Sequence, residues 1–168
     1  MKKLTIIILG ILSACHLNGQ VSRDSLLQAA REIMLKSKMC GLVTIDSDKE
    51  IYVRTMDPFP PESNFTVWLA TNPKSRKVGQ IKRRPGVVLY YMDPNGGGYV
   101  AIHGKAKIVN EQSEKDKHWK EEWSKFYLNR TDQYALIKVV PSYLELINYN
   151  RGITGDSRTW QPNRVSFP

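Results

Sequence analysis

The sequence is short of the residues that build disulfide frameworks and metal centres: 168 residues carry two cysteines, Cys15 and Cys40, and three histidines. A chain with so few thiols has no disulfide framework, and neither cysteine has a second one at metal-ligand spacing, so no metal site is expected. Acid is also in deficit, with 16 Asp and Glu against 25 Lys and Arg, giving a net charge of +9. That excess favours anionic partners without saying which. Internal repeats and low-complexity segments are absent. So is any long apolar run, since the longest, Leu4 to Leu12, is about half of the roughly 20 residues a membrane-spanning helix needs. What remains is ordinary for a folded domain, 41% hydrophobic and 24% charged, with length for one domain and a real core.

The first twenty residues, MKKLTIIILGILSACHLNGQ, read as an export signal: two lysines, a short apolar run, then small residues. Within them, LSAC resembles the bacterial lipobox, in which the signal is cut before a lipidated cysteine. On that reading Cys15 becomes the acylated first residue of an exported, membrane-anchored lipoprotein. The alternatives are a secretory signal cut near Gly19 or Gln20, which leaves a periplasmic protein, and an uncleaved tether.

Beyond this leader, over 1–20, the pattern divides the chain into a domain over 21–150 and a tail over 151–168. From Ser22 to Lys38 the residues Leu26, Leu27, Ala30, Ile33 and Met34 recur at helical spacing. Leu42–Ile45 and Ile51–Met56 are β-branched runs split by the turn-forming DSDKE, a hairpin. DPFPPESN, with three prolines in eight residues, is a loop. FTVWLAT is a third strand. VVLYYM and YVAIHGKAKIV form a second hairpin around DPNGGG. In SEKDKHWKEEWSKFYL the residues Trp119, Trp123, Phe126 and Tyr127 fall at helical spacing and predict packing aromatics on a helix. YALIKVVPSYLELINYN predicts a strand pair or one long strand bent at Pro141, and the tail is expected to be irregular. Six or seven strands with about three helices predict a mainly β fold, a small barrel with helical decorations.

The third strand leads into TNPKSRKVGQIKRRPG, which holds six basic residues and no acid. A strand ending at Thr71 and passing through NPKS into a helix puts hydroxyls and free backbone N–H groups where an anion is favoured. Ser75, Arg76 and Lys77 occupy that start, where charge-assisted hydrogen bonds to phosphate contribute roughly 1.5–3 kcal/mol each. Lys82, Arg83 and Arg84 lie two turns on and read as a solvated helix end, matched to the helix dipole. Nucleic acid is disfavoured: the cluster is short and no nucleic-acid-binding signature accompanies it.

The ordered set YVRTM, VWLAT, TNPKSRKVGQIKRRPGVVLYY and YVAIHGKAKIV resembles the pyridoxamine 5′-phosphate oxidase-like FMN-binding split barrels, particularly their general-stress-protein branch. The resemblance covers about Leu26 to Leu146. It implies a six-stranded split β-barrel, a homodimer, and FMN as cofactor in a cleft between subunits. It places the FMN phosphate on Arg54, Ser75, Arg76 and Lys77, and the flavin ring along Thr55 and Met56. Neighbouring contacts come from Trp68, Leu69, Ala70 and Thr71, with Tyr99 near the ring. Plainer readings stand beside these: Trp68 as a core aromatic, Met56 as core filler, Arg54 as a surface strand charge, Tyr99 as a cross-strand tyrosine.

The C-terminal arginine-rich substrate segment of authentic pyridoxamine phosphate oxidases is missing here, so that substrate is not expected. Trp160 and Arg158 in the tail are candidates for capping the cleft. The expected function is therefore an exported flavin-dependent oxidoreductase acting on an unidentified small substrate or electron donor. A non-catalytic, stress-protective flavin-binding module is the alternative, and a haem-binding barrel using His103 or His118 is a third. Neither histidine makes a convincing general base, and the catalytic residue is unassigned. Mass spectrometry of the mature chain from a Gram-negative host is expected to find an acylated Cys15 as first residue; an unacylated start at Gln20 or Val21 would contradict the lipoprotein reading.

Overall fold

The computed structural model describes residues 21–168, so the leader and Cys15 lie outside the described residues. The chain opens with helix α1, Arg23–Lys36, whose start is fixed by Ser22: its Oγ accepts from the Ser25 N–H at 3.2 Å. Asp24 in the first turn and Lys36 in the last complement the helix dipole. One face, Leu26, Ala29, Ala30, Ile33 and Met34, is buried against the sheet.

Strands β1, Cys40–Ile45, and β2, Ile51–Met56, pair antiparallel in a hairpin. Its turn is tied by the Asp46 carboxylate, which accepts from the Asp48 and Glu50 N–H groups at 2.9 and 3.1 Å. After the proline loop come β3, Val67–Thr71, and helix α2, Arg76–Arg83. The second hairpin is β4, Gly86–Met92, with β5, Gly98–Val109. Two short helices, α3 over Gln112–Lys117 and α4 over Arg130–Gln133, flank a 3₁₀ turn at Glu121–Lys125. Strand β6 is a single run, Ala135–Asn148, and β7 is Asn163–Ser166.

Six strands follow one hydrogen-bonded path, β2-β1-β4-β5-β6-β3, and β7 pairs with β6. The sheet curls so that its two end strands approach. Just past β2, Pro58 bridges Leu69 of β3, and the Phe59 N–H donates to the Trp68 carbonyl at 2.9 Å. No ladder joins β2 to β3 elsewhere among the described residues. A seam thus opens between the two strands on the Arg54 side of that bridge, where α2 follows β3.

Proline inside a sheet has no N–H for the ladder, and Pro141 is accommodated by a bulge. The β5–β6 register passes from His103↔Tyr143 to Gly104↔Pro141, leaving Ser142 as the extra residue. β6 is thereby one long bent strand rather than a pair.

Two expectations differ from the structure. The aromatic segment is not one helix: α3 ends at Lys117, Lys120 is extended at φ −119° and ψ 128°, and a 3₁₀ turn follows. Packing overrides the helical spacing there, because Trp119, Trp123 and Tyr127 converge edge-on upon one another and Trp119 and Tyr127 reach Tyr134 at 5.2 and 5.1 Å. The tail is not irregular to its end. In β7 Val165 is buried, Phe167 meets Phe65 at 5.5 Å, and Arg23 donates to the Ser166 carbonyl at 2.8 Å. A four-residue strand with one buried apolar side chain leaves no alternation to read.

Gly104 sits where the bulge brings backbones together, and a Cβ there would lie 2.3 Å from the Val140 carbonyl oxygen. Gly104→Ala is expected to lower the unfolding free energy by about 1–3 kcal/mol, measured by urea denaturation. Parent-like stability would contradict the close approach.

Candidate functional site

The seam between β2 and β3 holds an open cleft of about 540 Å³, lined by Thr55, Met56 and Asp57 from one edge and Ala70, Thr71 and Asn72 from the other. Lys77 of α2 closes one end, and Trp123, Phe126 and Tyr127 wall the side. The size falls inside the roughly 300–1,000 Å³ of small-molecule sites. One end is polar and cationic, and the wall is aromatic.

The cationic end is built by three elements. Ser75, which precedes α2, makes no cap bond to its helix; its Oγ instead lies 3.0 Å from Thr71 Oγ1. The first-turn N–H groups of α2 therefore carry no side-chain cap, an arrangement that favours an anion. Lys77 Nζ donates to Thr71 Oγ1 at 3.3 Å. From β2, Arg54 donates to Thr44 Oγ1 at 2.6 Å and to Gln80 Oε1 at 3.1 Å. Arg76 lies over the Tyr52 ring at 4.3 Å. Tyr52 itself stays a neutral phenol, its pKa pushed up to about 12, chiefly by the hydrogen bond it donates to Glu50 at 2.8 Å.

Among the described residues no carboxylate lies within 4.0 Å of Arg54, Arg76 or Lys77, whereas Lys120, Arg130 and Arg151 are each paired with one. The three cations press on one another. Burial, and then the Arg54 charge, hold the Lys77 ammonium pKa below the lysine range. Burial, and then Arg76, lower that of Arg54. An anion bound between them would relieve both effects.

The residues singled out from the sequence divide accordingly. Arg54, Thr71, Ser75, Arg76 and Lys77 come together, and Thr55, Met56 and Ala70 lie on the cleft edges. Leu69 is in the main core, behind the cleft. Trp68 packs in a second core with Ala70, Trp123 and Tyr134, stacks on His118 at 4.2 Å and donates its indole N–H to Glu62 at 2.6 Å. Tyr99 lies elsewhere, stacked on Tyr90 at 5.4 Å. It lines a second cavity of about 460 Å³ with Tyr149 and Trp160, while Arg158 only braces the adjoining turn through its backbone.

Lys82, Arg83 and Arg84 are exposed at the far end of α2. His118 is buried against Trp68 and Phe59. His103 stacks on Tyr143 at 4.3 Å, its pKa lowered by burial and by Arg164 against the opposing pull of Glu145.

Sequence reasoning missed Phe126 and Tyr127 as cleft wall, because their spacing spoke only of packing. It also missed Asp57, which accepts from Lys120 at 2.5 Å and from the Trp123 indole at 2.9 Å and so fixes that wall. Gln80 carried one signal, its place one turn after Arg76 beside the apolar Val78 and Ile81.

Residues 27–145 match the family model described as pyridoxamine 5′-phosphate oxidase like. General stress protein 26 of Bacillus subtilis is 24% identical over 132 residues, which span 76% of this chain and 92% of that one. A Clostridium acetobutylicum protein related to general stress protein 26 superposes with a TM-score of 0.71 at 17% identity, over 88% of this chain and 97% of that one. A pyridoxamine 5′-phosphate oxidase-related, FMN-binding protein of Nostoc punctiforme superposes with a TM-score of 0.60 at 12% identity, over 87% and 96%. The fold shared with these structures is the split barrel, and the seam is its split.

Lys77 supplies a pH test. Its folded pKa lies below the unfolded value, so the unfolded chain binds more protons between the two, and this group adds stability as pH rises through that window toward about 10.4. Lys77→Met is expected to remove that alkaline gain relative to the parent in urea titrations of the ligand-free protein. Identical pH profiles would contradict a Lys77 ammonium held down by burial and by Arg54.

Proposed function

Because this chain belongs to the pyridoxamine 5′-phosphate oxidase-like family, we propose that it binds FMN in the β2–β3 cleft and works as a flavin-dependent oxidoreductase on a small substrate. The observation that carries the reading is the group of three cations with no carboxylate partner among the described residues, Arg54 of β2 with Arg76 and Lys77 at the uncapped start of α2, beside a cleft with an aromatic wall. The residues fit the cofactor: a phosphate dianion matches the cations and hydroxyls, and a planar ring system matches the apolar remainder.

In this reading Arg54, Arg76 and Lys77 neutralise the phosphate, and Ser75 with the first α2 N–H groups direct its oxygens. Thr55 and Met56 of β2 and Ala70 and Thr71 of β3 would line the ring's part of the cleft, with Trp68 and Leu69 packed behind them in the two cores. Phe126 and Tyr127 exclude water from one side. When bound, FMN supplies the electron-transfer chemistry, and the protein supplies position and electrostatics.

A homodimer is part of the proposal. The outer face of β1, β2 and β4 exposes Ile45, Ile51, Val53, Tyr90 and Met92, and Gly41 lies between Val53 and Tyr90 on that same face. A second copy is the occupant proposed for it, and its Tyr99 and Trp160 would then be available to the cleft from across the interface. We also hold to export through the leader with lipidation at Cys15. Flavin must then be loaded either before export of the folded chain or outside the inner membrane.

A flavin-binding module without turnover is the second reading. Oxidation of reduced nicotinamide by the loaded protein would decide for the enzyme.

The purified domain mixed with FMN is expected to retain a flavin absorbance spectrum through gel filtration. Arg76→Ala combined with Lys77→Ala removes two charge-assisted contacts of roughly 1.5–3 kcal/mol each and should weaken binding at least about a hundredfold. Absence of flavin binding by the parent, or unchanged binding by the double variant, would overturn the proposal.

A further inference from the structure

Gln80 has no exposed surface, yet it is polar and sits in the middle of α2. Its Oε1 receives two hydrogen bonds, from Thr44 Oγ1 at 2.7 Å and from Arg54 at 3.1 Å, while its Nε2 has no partner among the described residues. The orientation of the amide is dictated by chemistry. A guanidinium only donates, so the atom facing Arg54 has to be the carbonyl oxygen, and the amide nitrogen is left bare. Thr44 is equally buried and completes a triangle with the other two, since Arg54 also donates to its hydroxyl at 2.6 Å.

Both acceptors of Arg54 are neutral, and no carboxylate among the described residues lies within 4.0 Å of it. A glutamate has nearly the same shape as Gln80 and would remove the bare donor while adding a charge-assisted bond to Arg54. It would also spend the arginine's charge inside the protein. We propose that Gln80 is a positioning residue of the anion site: it holds the Arg54 guanidinium by a neutral oxygen, so that the full positive charge stays available to a phosphate. This rests on the phosphate reading of the cleft. It goes beyond it by assigning specificity for phosphorylated over unphosphorylated flavin to a residue that itself faces Arg54 rather than the cleft.

Binding of FMN and of riboflavin, which lacks the phosphate, separates the possibilities when both are titrated by flavin fluorescence with a thermal melt of each ligand-free variant. For Gln80→Glu the expected result is FMN affinity about ten- to a hundredfold weaker, riboflavin affinity unchanged, and a ligand-free melting temperature equal to the parent's or higher. A merely structural role would instead weaken both flavins and lower the melt. Should Gln80→Glu fail to fold, Gln80→Met carries the test. It is neutral but lacks the acceptor, and a loss of affinity confined to FMN supports the positioning role, whereas equal losses for both flavins overturn it. A parent that prefers FMN while Gln80→Glu keeps the full preference would overturn this inference alone. A parent with no preference for FMN over riboflavin would remove the phosphate seat and this inference with it.

Discussion

Burial, and then the Arg76 charge, lowers the proton affinity of Arg54, and burial, and then the Arg54 charge, lowers that of Lys77, yet no acid among the described residues is set against these three cations. Arg76 is exposed, but Arg54 and Lys77 are partly buried, and charges of one sign so placed cost stability unless something neutralises them. The fold tolerates that cost because each cation is held by a neutral group. Thr44 and Gln80 take Arg54, Thr71 takes Lys77, and the face of Tyr52 takes Arg76. In the proposed function, that arrangement is preorganised for an anion that the protein does not itself provide.

The geometry of that site follows from how the sheet ends. A closed barrel would pair β2 with β3 along their length. Here the Pro58–Leu69 bridge joins them at one point, and the proline loop carries the chain away. The seam that remains leaves the β3 edge at Ala70 and Thr71 without a β2 ladder among the described residues and receives the start of α2. Asp57, at the end of β2, ties the 3₁₀ segment to the same seam through Lys120 and Trp123. One unpaired strand edge therefore serves both the cationic end and the aromatic wall.

Much of this was legible in the residue pattern. The helix before Gly41, both hairpins and the run of strand, loop and basic helix are spelled by periodicity and turn chemistry, and Lys82, Arg83 and Arg84 are exposed at the far end of α2 from Arg76 and Lys77. What could not be read depends on contacts distant in sequence. The aromatic segment breaks because Trp119 and Tyr127 are drawn to Tyr134, and helical spacing carries no record of that. Trp68 and Ala70 point into one core while Leu69 points into another, a consequence of the β3 pleat that depends on what lies on each side. Gln80 is the clearest case. Its importance lies in an amide oxygen facing an arginine 26 positions away, and its place beside the apolar Val78 and Ile81 hints at burial but not at that partner.

The central claim is that the three unpaired cations form a phosphate seat, and a crystal structure of the protein grown with FMN tests it most directly. The account predicts phosphate oxygens within hydrogen-bond distance of Arg54, Arg76, Lys77 and Ser75, with the flavin ring lying along Thr55 and Met56. FMN bound with its phosphate away from that group, in the cavity beside Tyr99 and Trp160 or elsewhere, would contradict it.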